Sequence, residues 1–239
     1  LQAAGQDGVY RIERGYRRPI TSKAALTSRY NSALIITVSK TTLEQYPVGA
    51  AISLPNYSLV KDENGNIYLL VDDTMRKVDS METFRFIGFH EDELVDITSS
   101  EVAQYTAGTP ITSSTQDPTG KVVKLTTNGA MFYLNNGIRQ AILDRAILDA
   151  NFPSAIVEDA APVVIEQYRE GKFLKLPDGT LVRSYENPSV YVISDGKKMP
   201  ITSESIFLDY GYAWGNVIFV SDDVLNLHPT GDNLLGSGT

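Results

Sequence analysis

The chain has 239 residues, 42% of them hydrophobic and 21% charged, with a formal net charge of −8 and no cysteine. That composition suits a globular core and excludes a disordered or collagen-like chain. The negative balance argues against a nucleic-acid partner, whose recognition rests on Lys and Arg neutralising phosphates. Without cysteine there are no disulfides, thiolate metal sites or cysteine nucleophiles. No run of about 18 apolar residues is present, so no membrane span is expected.

The chain repeats itself. A strand, a turn and a basic strand recur as VYRIERGYRRPI from Val9, IYLLVDDTMRKV from Ile67, MFYLNNGIRQAI from Met131 and VYVISDGKKMPI from Val190. The phrase ends at Ile20, Val78, Ile142 and Ile201, and a downstream glycine falls at Gly49, Gly108, Gly171 and Gly231. Both anchors give a period of about 60 residues. One repeat domain over 1–239 is expected, with units at about 1–53, 54–111, 112–174 and 175–239. The nearest thing to a linker is 112–120, rich in Ser, Thr, Gly and Pro.

Each unit opens on a short apolar run, LVK at Leu59, VVK at Val122 and LVR at Leu181, reduced in unit one to Leu1-Gln2. A polar turn follows, such as Asp62-Glu63-Asn64-Gly65-Asn66 or Glu186-Asn187-Pro188, which predicts a hairpin. The second strand carries Tyr10, Tyr68, Phe132 and Tyr191, with Ile12, Leu70, Leu134 and Ile193 two residues on. That period of two marks a constant buried face. The opposite face varies from Arg11 to Leu69, Tyr133 and Val192, and is expected to be more exposed. After Gly15, Asp73, Gly137 or Gly196 a third strand runs to the Ile/Val anchor. Pro19 and Pro200 just before that anchor predict an edge, or a strand leaving its sheet.

Ser22, Ser80, Asp144 and Ser203 stand two residues past the anchor as N-caps of a short helix. Leu26, Phe84, Leu148 and Phe207 face the core from it, and Gly88 and Gly211 predict left-handed helix ends. A fourth strand follows, LIITV from Leu34, LVDI from Leu94, AIV from Ala155 and VIFV from Val217. The unit finishes on one helical turn closed by the glycine, with Leu43, Val102, Ile165 or Leu225 and then Tyr46, Tyr105, Tyr168 or His228. The fold class is therefore all-β with short helices, as four β-β-β-α-β repeats. One such unit cannot cover both faces of its sheet, so neighbours must supply the rest. Radial closure into a four-bladed β-propeller suits four strands per unit; an elongated rod or two paired lobes are the alternatives. The end Leu234-Leu235-Gly236-Ser237-Gly238-Thr239 leads equally well into another unit.

No catalytic constellation is visible. His90 lies beside Glu91, Asp92 and Glu93 and reads as a solvated loop residue, while His228 takes the place of a repeated tyrosine. There is no HExxH, Walker loop or Ser-His-Asp pattern. Glu158-Asp159 and Asp222-Asp223 are the candidates for a glycosidase carboxylate pair, though their recurrence at equivalent turns fits solvated charge at a helix start. The oxygen-rich turn at Asp62 begins a calcium loop but does not complete one, since Ile67 follows Asn66 and no glutamate closes it. No cofactor or metal is expected, with calcium as the alternative. Arg17, Arg18, Arg76, Lys77, Arg139, Lys197 and Lys198 recur on the third strands. They form a basic stripe for an anionic polymer or acidic protein, or else shield edge strands from aggregation. Tyr210, Tyr212, Trp214 and Asn216 suit sugar stacking from a loop, or else burial against a neighbouring unit.

The phrase resembles a repeat of bacterial secreted and cell-surface proteins. Unit four carries the resemblance through LVRSYENPSVYVISDGKKMPITSESIF, NVIFVSDD and LHPTG, and unit one through VYRIERGYRRPITS and YPVG. A looser similarity is to hemopexin-type four-bladed propellers. The first resemblance implies an extracellular or cell-surface accessory module, with a leader or flanking regions outside this sequence. The expected function is non-catalytic adhesion, cell-wall or glycan binding, with a polysaccharide or protein partner. The alternatives are a self-assembling subunit of a filament or surface layer, and a carboxylate-dependent glycoside hydrolase.

Overall fold

The structure, a computed structural model, describes residues 1–235. The chain divides into two compact units, Leu1–Thr115 and Gln116–Thr239, each holding two repeats. The division falls within the Ser-, Thr-, Gly- and Pro-rich stretch 112–120. The expected lead into a further repeat falls partly on residues 236–239, outside the described residues.

Repeat one contributes β1 (Gln2–Ala3), β2 (Tyr10–Glu13), β3 (Tyr16–Pro19), α1 (Lys23–Thr27), β4 (Thr37–Val38) and α2 (Lys40–Glu44). Repeat two contributes β5 (Leu59–Lys61), β6 (Ile67–Val71), β7 (Thr74–Lys77), α3 (Met81–Ile87), β8 (Leu94–Asp96), α4 (Ser99–Val102) and β9 (Thr106–Ala107). Repeat three follows with β10 (Lys121–Leu125), β11 (Met131–Asn135), β12 (Ile138–Ile142), α5 (Arg145–Asn151), β13 (Val157–Ala160), α6 (Pro162–Ile165) and β14 (Arg169–Glu170). Repeat four has β15 (Leu181–Ser184), β16 (Val190–Ser194), β17 (Lys197–Pro200), α7 (Glu204–Asp209), β18 (Ile218–Val220) and α8 (Asp222–Asn226). The fold is mostly β with short helices, as the alternation of apolar positions predicts.

The sheets of repeats two and three run β8-β5-β6-β7-β9 and β13-β10-β11-β12-β14. Three antiparallel strands form the middle. The fourth strand returns parallel to the first, with Val60 opposite Val95 and Val123 opposite Glu158. A fifth, two-residue strand lies parallel to the third. Repeat four keeps the order β17-β16-β15-β18, with the fifth position held by a single bridge from Lys198 to Thr230. Repeat one has the same plan in pieces: β1 beside β4, β2 beside β3, and bridges from Gln2 to Val9 and from Arg17 to Val48. Among the described residues no sheet closes into a barrel or propeller.

The fifth position refines one expectation and corrects another. The third strand is covered by a fifth in repeats two and three. In contrast β3 and β17, which carry Pro19 and Pro200, are the last strands of their sheets, as the prolines predict. Among the described residues they are met only by isolated bridges and by the amides of Ile52 and Leu234 at 2.7 and 2.9 Å. The repeated glycine does not close the preceding helical turn, since those turns end at Gln45, Ala103, Glu166 and Leu227. It lies against the third strand. A Cβ on Gly108 would fall 2.7 Å from Arg76 Cγ, on Gly171 2.5 Å from Ile138 Cγ2, and on Gly231 2.3 Å from Met199 Sδ. Close approach to the side chains of the third strand, and at Gly171 also to the Arg139 carbonyl, is what favours glycine here.

The helix starts follow the sequence. The side chains of Ser22, Ser80, Asp144 and Ser203 accept the amides of Ala25, Thr83, Ala146 and Ile206 at 3.0, 3.0, 2.7 and 3.2 Å. Phe84 and Phe207 then pack onto Leu69 and Val192 of their own repeats. The strand face expected to be exposed is therefore buried in repeats two and four, because the repeat's own helix lies over it. In repeats one and three the helix also meets the next sheet. Ala24 and Ala25 join Val60, Leu70 and Ile97 of repeat two, and Ile147 and Leu148 join Val182, Ile193 and Val220 of repeat four. Leu54 and Leu176, each one residue before a proline, are buried in the same two clusters. Each unit is thus a sheet–helix–sheet–helix stack, and each buried Leu or Ile contributes ~1.5–3 kcal/mol to it.

Candidate ligand-binding groove

The aromatic segment after α7 divides into two roles. Gly211 takes the chain left-handed at φ 70°, and the backbone folds back through a short 3-10 turn, Trp214–Asn216. Tyr212, five residues past Phe207, meets that ring edge-on at 5.5 Å. Phe89, five residues past Phe84, packs on that ring at 5.6 Å in repeat two. Tyr212 therefore repeats a core contact. Trp214 does not, because Glu91 stands at its place in repeat two. Its indole lies flat on Phe207, 4.1 Å away and 14° from parallel, yet the residue stays 51% exposed.

Trp214 forms one wall of an open groove of about 460 Å³. Phe207, Tyr191, Pro188 and Pro200 supply further apolar lining, and Ser189, Thr202 and Glu204 supply polar atoms. A few polar groups beside an aromatic wall are the usual make-up of a small-ligand site. The remaining members of the segment turn elsewhere. Tyr210 stacks on Tyr212 at 5.6 Å and its hydroxyl donates to the Leu235 carbonyl at 3.0 Å. Asn216 is exposed and does not line the groove. Burial pushes the Tyr212 hydroxyl pKa up, with a smaller push from Tyr210.

Four of the seven basic residues hold backbone carbonyls. Arg139 Nη1 donates to the Ile165 carbonyl at 3.2 Å, and Lys198 Nζ donates to the equivalent Leu225 carbonyl at 3.4 Å and to Asn226 Oδ1 at 3.0 Å. Cations at the ends of α6 and α8 satisfy groups left unpaired by the last helical turn. Arg18 Nε and Arg76 Nε donate to the carbonyls of Ala50 and Thr109, each directly after the repeated glycine, at 3.0 and 2.8 Å. Arg18 also pairs with Glu13 at 2.6 Å and Arg139 with Glu170 at 3.5 Å. Arg17 lies over the Tyr10 ring at 5.9 Å. Lys77 and Lys197 are exposed. None of these seven lines the Trp214 groove.

The other candidates have structural partners. His228, 1% exposed, accepts the Leu176 amide at Nε2 (3.2 Å) and donates from Nδ1 to the Gly196 carbonyl (3.0 Å). Burial lowers its pKa, which keeps the ring neutral. Asp62 accepts the amides of Asn64 and Asn66 at 3.0 and 2.8 Å, tying its own hairpin turn. Burial works to raise that carboxyl, but the bonds from Asn66, Asn64 and Ser99 outweigh it and hold it below the usual carboxylate range. Among the described residues no three His, Asp or Glu side chains converge as a metal site. Asp159 pairs with Lys124 at 3.2 Å, and Asp222 accepts the Ser184 hydroxyl. The groove residues that the sequence does not single out are Pro188, Ser189, Thr202 and Glu204. They are distant in sequence from Trp214, and no motif joins them.

No family model matches the chain, and no curated protein matches it. Two solved structures are similar over 78% of it. One is an intact ESX-5 inner membrane complex, at 13% identity and TM-score 0.21, with 54% of that chain covered. The other is the periplasmic assembly from the ESX-5 inner membrane complex, at 15% identity and TM-score 0.21, with 62% covered. The chain thus spans less than two thirds of either matched chain. A likeness at this TM-score carries no argument about fold or function.

Proposed function

We propose that this chain is a non-catalytic, extracellular or cell-surface binding module that holds a polysaccharide at the Trp214 groove. The observation that carries the reading is the flat backing of Trp214 by Phe207 together with its exposure. A ring already fixed in place loses little rotamer freedom when a sugar ring stacks on it. Aromatic side chains bring a large apolar contact area, and the hydroxyls of Ser189 and Thr202 and the carboxylate of Glu204 are suited to sugar hydroxyls. For the architecture, we infer that repeats pair within each unit rather than closing radially as one four-bladed propeller. The helix sandwiched between successive sheets of each unit supports that pairing.

The test is co-sedimentation of the full chain with insoluble peptidoglycan and titration calorimetry with soluble neutral oligosaccharides. Trp214→Ala removes a central aromatic anchor, for which a loss of ~2 kcal/mol or more, about 30-fold in Kd, is expected. Its thermal unfolding should fall only modestly, since the ring is half exposed and covers Phe207 with one face, so binding is compared well below the transition. A wild-type chain that binds none of these glycans overturns the reading.

A further inference from the structure

Sheet four carries a second aromatic platform outside the groove. Along β18, Ile218 and Val220 face the core shared with repeat three, while Val217 and Phe219 face the α7 side. Arg183 stands directly across from Phe219 on one side and from Val190 on the other. Its guanidinium lies over the Phe219 ring at 4.9 Å. Tyr185 stacks with Phe219 at 5.9 Å and 30°. Phe219 is 46% exposed and Tyr185 66%.

The repeat fold does not need aromatics there. The equivalents of Arg183 and Phe219 are Lys61 and Asp96 in repeat two, and Lys124 and Asp159 in repeat three. Lys124 and Asp159 form an exposed ion pair at 3.2 Å. Repeat four puts Phe219 in place of the aspartate that repeats two and three keep there, while repeat one has the uncharged pair Thr37 and Val38 on its fourth strand. Trp214 likewise replaces Glu91. Both substitutions occur in one repeat and on one sheet face, and Val190 connects them: it lines the groove and is one strand from Arg183 and two from Phe219. Two strand spacings are ~10 Å.

We infer that Tyr185 and Phe219 form a second stacking subsite, and that the ligand is a neutral oligosaccharide long enough to lie from the Trp214 groove across to it. This inference rests on the polysaccharide reading. A neutral chain fits the chemistry best. Glu204 lines the groove, Arg183 is engaged over Phe219, and Lys198, which lies over the Tyr191 ring, is tied to the Leu225 carbonyl and Asn226.

The experiment is calorimetry on the full chain with β-1,4-linked N-acetylglucosamine and glucose oligomers, monomer to hexamer. Phe219→Asp restores the charge pattern of repeats two and three beside Arg183, and Tyr185→Ala removes a largely exposed ring, so both variants should fold. In the bound oligomer series the expected result is about tenfold weaker binding of the longest chains by each variant, a loss of ~1.4 kcal/mol, with short chains unchanged. Trp214→Ala should weaken every length. If Trp214→Ala weakens binding but both platform variants leave every length unchanged, or weaken short and long chains alike, the second subsite is overturned and the groove stands. If the wild-type chain binds no oligomer, the groove falls and the subsite with it.

Discussion

Replacing His228 by phenylalanine would remove two hydrogen bonds while leaving a planar ring in the core. The equivalent residues are Tyr46, Tyr105 and Tyr168. The residue after the tyrosine donates to the turn carbonyl in two repeats: Thr106 to Asp73 at 3.2 Å and Arg169 to Gly137 at 2.9 Å. In repeat four that residue is Pro229, which has no N–H, and in repeat one it is Pro47, beside a retained tyrosine. Nδ1 of His228 supplies the missing donor to the Gly196 carbonyl, while Nε2 accepts the Leu176 amide. His228→Phe leaves that amide and that carbonyl unpaired, and at ~1–3 kcal/mol per unsatisfied group the loss should be ~2–6 kcal/mol. His228→Tyr combined with Pro229→Thr copies repeat two, where Tyr105 accepts the Leu54 amide, and should recover most of it. The pair also has a pH signature. Burial lowers the His228 pKa, so between the folded value and the ordinary value of about 6.5 the unfolded chain binds more protons. The histidine's stabilisation is therefore complete above about pH 6.5 and lost as pH falls below it. The assay is urea unfolding followed by circular dichroism at pH 8 and pH 5, comparing wild type with the double variant so that carboxylate contributions cancel. Equal pH dependence of the two, or a phenylalanine variant as stable as wild type, would refute the reasoning.

Gly171→Ala should destabilise by ~1–3 kcal/mol, because its Cβ would meet both Ile138 Cγ2 and the Arg139 carbonyl; a denaturant midpoint unchanged from wild type would contradict the close-approach account. Leu54→Ala and Leu176→Ala should each cost ~2–5 kcal/mol. Each should lower protection from hydrogen exchange in its own unit, 1–115 or 116–239, and the result to look for is protection lost in that unit alone.

The parts of the fold legible in the sequence are those that all four copies state alike and that depend on near neighbours. The N-caps at Ser22, Ser80, Asp144 and Ser203 need only the next turn of chain. The alternation of Tyr68 with Leu70, or of Tyr191 with Ile193, needs only its own strand. What was hidden is the two-repeat period. Averaging Arg11, Leu69, Tyr133 and Val192 makes one face look variable and exposed, whereas Leu69 and Val192 belong to a second kind of repeat, buried under its own phenylalanine helix. The alternation was present in Leu26, Phe84, Leu148 and Phe207, and again in the residue before the proline: Leu54, then Asp117 where the division into units falls, then Leu176. The fifth strands escaped because two residues, Thr106-Ala107 or Arg169-Glu170, carry no periodicity, and their glycine signals a close approach only once its neighbour is known.

The same comparison of copies separates structural departures from candidate functional ones. Repeat four breaks the pattern at His228, Trp214 and Phe219. His228 is buried and both of its ring nitrogens have backbone partners, so the change serves the core. Trp214 stands where repeat two has Glu91, and Phe219 where repeats two and three have aspartate, and both aromatics remain about half exposed, where burial stabilises least. That asymmetry, rather than the recurring basic residues, of which Arg18, Arg76, Arg139 and Lys198 tie down backbone carbonyls, is what supports the proposal of binding on one face of sheet four.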